Sequence, residues 1–384
     1  HRKYQIALNL LTLDFVFAKQ FVSGHVNAHA LSRKKSRFTE DLLLEKKKTT
    51  IYDVAEKAGV SRQTVSRVLN DRQDVSDETR KRVKQVMAEL SYHPSAVAQS
   101  LSRQKSYLFG VVTAGLRFIG PSRTLSGITS KAEELGYGLL LKELASFSSN
   151  NVKPMLQWFK SHQVDGIIWA APEIEDNRSW LNHEQTQIDI PTIFLTMEEQ
   201  KNVTIVTTDN YNGARIATEH LLQIGRKKIG HISGPMEWWE ARQRKKGWED
   251  VLREAGIQVS DQMWSQGNWS SKSGRTAFLE LLAKYPDMDG VFVGNDQMAL
   301  SVLQTSLEIG KRIPRDFSVI GFDGIADSEF YCPPLTTIYQ NQDELGRVAV
   351  AELASQIEQK ISENITVKPK YITIQPELII RQSS

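Results

Sequence analysis

The chain has 384 residues, 40% of them hydrophobic, enough for two or three domains with cores of their own. Its formal net charge of +3 hides an asymmetry. Through Gly110 there are 20 Lys/Arg against 11 Asp/Glu, and beyond it 28 against 34, so a polyanionic partner is expected for the front alone. One cysteine, Cys332, excludes a disulfide framework and a multi-cysteine metal site and fits a reducing compartment.

Residues 1–48 are read as an extension without a fold of its own. The apolar run Tyr4–Phe17 holds Asn9 and Asp14 and is too short to span a bilayer. Arg2-Lys3 would suit a signal peptide, but no small-residue cleavage site follows at once. The basic runs Arg33–Arg37 and Lys46–Lys48 suit phosphate contacts or plain solvation.

From Thr50 to Asn70 the pattern predicts two short helices joined by a tight turn. Val54, Ala55 and Ala58 share one face of the first, Gly59 ends it, and Val60 plugs the junction. Ser61 is an N-cap for the second, which turns Val65, Val68 and Leu69 inward. Its other face carries Arg62, Gln63, Thr64, Ser66 and Arg67, side chains able to bond base edges and phosphates. Ser76 caps a third helix with Val83, Val86, Met87 and Leu90 on one stripe. Pro94 then blocks continuation, and Val97, Ala98 and Leu101 give the next short segment one apolar face.

Beyond Tyr107 short apolar runs alternate with amphipathic stretches. Strands are predicted at 108–112, 138–141, 166–169, 192–195, 228–232, 290–293 and 318–322. Helices fit at 123–135, 153–161, 211–224, 242–255, 273–284, 297–309 and 343–360. Such alternation predicts an α/β fold with two parallel sheets in tandem and a ligand cleft at the carboxyl ends of the strands. Asn295, Asp296 and Asp323 stand at predicted strand ends, and Arg242 opens a helix after the Gly234-Pro235 loop. A carboxylate, an amide and a guanidinium converging there suit a polyhydroxylated ligand. Asp296 equally suits a helix cap, and Asp323 a turn before Gly324.

Residues 50–70 and Tyr92–Leu101 resemble the DNA-binding signature and hinge of LacI/GalR transcription factors, and the resemblance runs to about Arg381. It implies a helix-turn-helix domain and a bilobed effector domain like the type 1 periplasmic sugar-binding proteins. The expected organisation is a 1–48 extension, a 49–93 DNA-binding domain, a 94–106 hinge and a 107–384 effector and dimerisation domain. Expected DNA contacts are Thr50, Tyr52, Ser61, Arg62, Gln63, Thr64, Ser66, Arg67 and Asn70, with Val97, Ala98 and Leu101 from the hinge. Leu101 would wedge into the minor groove.

The effector residues implied are Arg242, Asn295 and Asp323, Trp269 against a sugar ring, Phe194 as an apolar wall, Phe118 on the first cleft loop, and Gln340. Trp238-Trp239 departs from the small polar residues of the lactose-repressor branch and suits either ligand stacking or loop filling. Gln342 stands where an aromatic is expected, so the effector's identity does not carry over.

The function expected is a cytoplasmic, dimeric repressor that leaves a pseudo-palindromic operator when a sugar or glycoside binds. The alternatives are a corepressor mode and a sugar receptor without DNA function. A dimer is expected because nothing in the sequence corresponds to a C-terminal leucine-heptad helix. Arg242→Ala and Asp323→Ala are expected to abolish the response to inducer. No Gly-x-Gly-x-x-Gly, P-loop, His-Glu-x-x-His or Gly-x-Ser-x-Gly occurs, so no enzyme activity, catalytic residue, metal or cofactor is expected.

Overall fold

The computed structural model describes residues 49–93, 105–144, 152–172, 174, 190–363 and 368–384. They fall into two compact units, one within residues 1–99 and one within 100–384. The hinge residues Val97, Ala98 and Leu101 lie outside the described residues.

The first unit is three helices: α1 (Ile51–Ala58), α2 (Arg62–Leu69) and α3 (Asp77–Glu89). Thr50 N and Oγ1 both donate to Asp53 Oδ2 at 2.7 Å, which starts α1. Gly59 ends it with φ +65°, the left-handed conformation that only glycine adopts without strain. Ser61 Oγ accepts the Thr64 amide at 3.0 Å, so the turn is set by the glycine and cap that the sequence signals. Val54, Ala55, Ala58, Val65, Val68, Val83 and Val86 close the small core.

The second unit contains two six-stranded sheets. The first joins β1 (Leu108–Ala114), β2 (Gly138–Leu144), β3 (Gly166–Ala170), β4 (Thr192–Leu195), β5 (Thr204–Thr208) and β11 (Tyr371–Ile374) in the order β11-β5-β4-β3-β1-β2. The second joins β6 (Ile229–Ser233), β7 (Trp264–Gln266), β8 (Gly290–Val293), β9 (Ser318–Asp323), β10 (Thr336–Tyr339) and β12 (Glu377–Ile379) in the order β12-β10-β9-β8-β6-β7. The two orders are the same plan repeated. All seven predicted strands are present. The sheets are parallel except for the β10–β12 pair, which is antiparallel and corrects the all-parallel expectation.

Helices α4 (Ile119–Glu134), α5 (Val152–Ser161) and α10 (Gln342–Glu363) cover the first sheet. Helices α6 (Asn210–Gln223), α7 (Trp239–Glu254), α8 (Ser271–Lys284) and α9 (Asp296–Glu308) cover the second. Helix α7 lies so close to α6 that a Cβ on Gly247 would meet the Tyr211 carbonyl oxygen at 2.4 Å. The chain passes between lobes three times: after β5, after β10 and between β11 and β12. The carboxyl ends of β1, β3, β4, β6, β8 and β9 face one cleft at these crossings.

Candidate functional site: a cleft between lobes and a recognition helix

The cleft lies between the two lobes of the second unit and is lined from both. Its first-lobe wall is mostly apolar: Val111, Ala114, Phe118, Ile119, Pro121, Leu125, Ile128 and Leu195. Its second-lobe wall is polar and aromatic: Trp238, Glu240, Arg244, Trp269, Asn295, Gln297, Asp323 and Gln340. Phe118 and Trp238 occupy equivalent places, each the residue that precedes the first helix after the opening strand of its lobe.

Arg244 organises the polar wall. It is 5% exposed, its Nε donates to Asn210 Oδ1 at 2.8 Å, and its Nη1 donates to the Gly294 carbonyl. The same nitrogen lies 3.6 Å from Asp323 Oδ1, and the guanidinium stacks 3.8 Å from the Phe322 ring centroid. Gln340 Nε2 donates to that Asp323 oxygen at 2.7 Å. Burial pushes the Asp323 carboxyl up, against the opposing pull of Arg244 and Gln340. Asp323 (φ 106°) and Trp269 (φ 70°) both adopt left-handed backbone that ordinary residues disfavour. Such strain concentrates where side-chain placement is over-determined by function.

Asn295, rather than Asp296, caps α9: its Oδ1 accepts the Met298 amide at 3.0 Å. Its Nδ2 donates to the Trp269 carbonyl (3.0 Å) and to Gln297 Oε1 (2.9 Å), tying α9 to the tryptophan loop. Asp296 turns into the lobe, where it accepts from the Ile325 amide (2.9 Å) and the Thr337 hydroxyl (2.6 Å). Burial and the neighbouring Asp323 push its pKa up to about 8. Trp269 Nε1 is buried and has no hydrogen-bond partner among the described residues.

Thus Phe118, Trp238, Trp269, Asn295, Asp323 and Gln340 converge, and two expected residues do not. Arg242 is exposed, and its guanidinium donates to the Met236 and Glu237 carbonyls at 3.2 and 2.7 Å. Arg244 takes the place expected of it. The signal was in the helix period, because Arg244 precedes Gly247, Trp248 and Val251 on the buried face, whereas Arg242 is about 200° away from it. Phe194 is 2% exposed and packs with Val112, Phe159 and Ile205 in the core. Its neighbours Leu195 and Thr196 line the cleft instead, since successive strand residues face opposite ways. Trp239 is buried and is not among the lining residues, which separates the two roles open to the Trp pair. Gln342 lines the cleft and accepts a hydrogen bond from Thr124 at 2.8 Å.

On the first unit, Thr50, Tyr52, Ser61, Arg62, Gln63 and Arg67 are exposed, and Thr64, Ser66 and Asn70 are half-buried. Arg62 Nη1 donates to the Tyr52 hydroxyl at 2.5 Å, and its guanidinium lies 4.4 Å from the Tyr52 ring centroid. Arg67 pairs with Asp74 at 3.4 Å. Among the described residues no cluster of His, Cys, Asp and Glu could hold a metal, and no helix is long and apolar enough to cross a membrane.

A helix-turn-helix unit followed in the chain by a two-lobed module with an interlobe cleft defines a class of ligand-responsive DNA-binding regulators. Residues 50–95 match the bacterial regulatory proteins of the lacI family, and residues 218–384 match a periplasmic binding protein-like domain. The lactose operon repressor of Escherichia coli K12 is 36% identical over 307 residues, 80% of this chain and 84% of that protein. The transcriptional repressor PurR of Haemophilus influenzae is 33% identical over 335 residues, 87% of this chain and 98% of that protein. A structure of the lac repressor dimer bound to operator and the anti-inducer ONPF superposes with TM-score 0.76 at 34% identity, covering 88% of this chain and 99% of that one. The regulator CelR in complex with cellobiose gives 0.65 at 27% identity, covering 88% and 100%. The chain belongs to the lacI family and is a DNA-binding transcriptional repressor.

Proposed function

We propose that this repressor binds a pseudo-palindromic operator as a dimer and is released from it by a sugar or glycoside held in the interlobe cleft. The observation that carries the reading is the Arg244–Asp323–Gln340 array beside Trp269, opposite an apolar wall. A guanidinium and a carboxylate bridge neighbouring hydroxyls, and an indole covers the apolar face of a pyranose ring. The ligand touches both lobes, so it favours one interlobe angle and shifts the equilibrium by its differential affinity for the two states. The lac repressor and CelR structures, solved with operator and anti-inducer and with cellobiose, support this assignment by likeness.

Titrating operator-bound protein with a sugar panel, followed by fluorescence anisotropy, tests the reading. Release by one sugar is expected. Tightening by a ligand would instead establish a corepressor mode, and no response to any sugar would remove the proposed effector class. By linkage, operator must weaken binding of the releasing sugar by the same factor.

The expected base-reading residues are Arg62, Gln63 and Arg67. Gln63→Ala is expected to cost about 1–3 kcal/mol of discrimination at one base step while nonspecific affinity stays near wild type. Binding to a set of single-base operator variants checks this; an unchanged preference at every position would remove Gln63 from the readout.

A further inference from the structure

Among the described residues, Glu240 is the one carboxyl in the cleft wall outside the Arg244–Asp323–Gln340 array. It lies on the first turn of α7, one turn ahead of Arg244 and on the same helix face. It is 9% exposed, and its Oε2 is buried with no hydrogen-bond partner among the described residues. Arg244 does not complete it, because that guanidinium turns to Asn210, Gly294 and Asp323. A buried carboxyl oxygen without a partner is costly, and such groups in a cleft are completed by what binds there.

Its surroundings say what would bind. Trp238, two residues earlier, also lines the cleft, and its ring lies 5.8 Å from Trp269, edge to face. Trp269 in turn lies 5.4 Å from the Arg244 guanidinium. Trp269 therefore touches both the Arg244 array and Trp238, and Glu240 lines the same wall one turn ahead of Arg244. Burial raises the Glu240 carboxyl above its ordinary range, against the pull of its own backbone amide and of Arg244.

We propose that Trp238 and Glu240 form a second carbohydrate subsite, so that the cleft selects an effector of two sugar rings. This rests on the sugar-released reading above. One ring sits on the Arg244 array, and the second lies against the Trp238 indole with a hydroxyl bonded to Glu240. An aromatic aglycone would cover the indole and leave the carboxyl unpartnered.

Isothermal titration of the full chain tests it, with methyl glucosides and methyl galactosides of both anomers against cellobiose, maltose, lactose and melibiose, plus a nitrophenyl glycoside. The recognised disaccharide is expected to bind at least about 10-fold tighter than its methyl monoglycoside, as a second buried polar contact implies. Glu240→Ala is expected to remove about that factor for the disaccharide and leave the monoglycoside and the nitrophenyl glycoside near wild type. Glu240→Gln, which keeps a donor and an acceptor, is expected to retain disaccharide binding. Equal wild-type affinity for one and two rings, or a disaccharide affinity indifferent to Glu240→Ala, overturns the subsite while leaving the sugar-released reading in place. Glutamine as damaging as alanine, for the disaccharide alone, would assign the contact to an ionised carboxylate and support the subsite. Binding of none of the sugars overturns the sugar-released reading itself.

Discussion

Arg244→Ala is expected to abolish the response to effector and to destabilise the second unit together. The side chain holds Asn210, the Gly294 carbonyl and Asp323 at once, at a site only 5% exposed. Removing one partner of a buried ion pair costs about 3–5 kcal/mol, because the other charge stays behind uncompensated. At roughly 2–4 °C per kcal/mol for a module of this size, the melting temperature falls by roughly 6–20 °C. Effector affinity is expected to drop by about 10- to 150-fold for each bond lost, since a charge-assisted hydrogen bond is worth about 1.5–3 kcal/mol. Arg244→Lys keeps the charge and loses the planar fork, so it recovers stability more than binding. Arg242→Ala is expected to change neither, because its guanidinium only ties two backbone carbonyls at the surface. Calorimetric melting and sugar titration of the three variants decide the matter. An Arg244→Ala protein that still releases operator on adding sugar would remove the polar array from the site.

The second large effect is on pH. Asp296 is held near pKa 8, whereas an aspartate in an unfolded chain titrates near 3.9. Between these values the folded state keeps a proton that the unfolded state releases. The stability this group contributes is therefore complete in acid and is lost as pH rises towards 8, by at most about 1.4 kcal/mol per pH unit. Buried His231 runs the other way: held near pKa 3, it costs stability as pH falls below about 6.5, where the unfolded chain takes up a proton. The two oppose each other at pH 5–6.5. A fall in melting temperature is therefore expected between pH 7 and 8, levelling off above 8. Asp296→Asn keeps an acceptor for the Ile325 amide and a partner for Thr337. It is expected to flatten that fall and to exceed wild-type stability at pH 9. Parallel melting curves for the two proteins across pH 7–9 would show that Asp296 does not titrate there.

The helix-turn-helix was legible to the residue, because Gly59, Ser61 and the Val54–Val68 spacing are local signals with local causes. The buried strands were legible as unbroken apolar runs. Five strands were not. β5 is Thr-Ile-Val-Thr-Thr, polar in composition although wholly buried, and β7 is three residues long. β10, β11 and β12 depend on pairing with distant partners, a fact no window of the chain contains. The cleft was legible at strand ends, where position alone aims a side chain. It was misread where facing decides: Arg242 for Arg244 on a helix, and Phe194 for Leu195 on a strand. Glu240 went unseen because a glutamate on the first turn of a helix is an ordinary residue until its buried oxygen is found without a partner.

The edge strands β11 and β12 come from one short segment, Tyr371–Ile379, which closes one sheet and then the other. On the ribosome this sets an order of maturation. The three helices that read DNA are finished early, while neither lobe of the sensing module is complete until this segment emerges. A nascent or truncated chain ending ahead of Tyr371 thus carries a reader with no finished receiver. It also leaves β5 and β10 with bare backbone edges, two templates for aggregation from a single cut. Nine residues outside the cleft lining thus decide whether both lobes are complete.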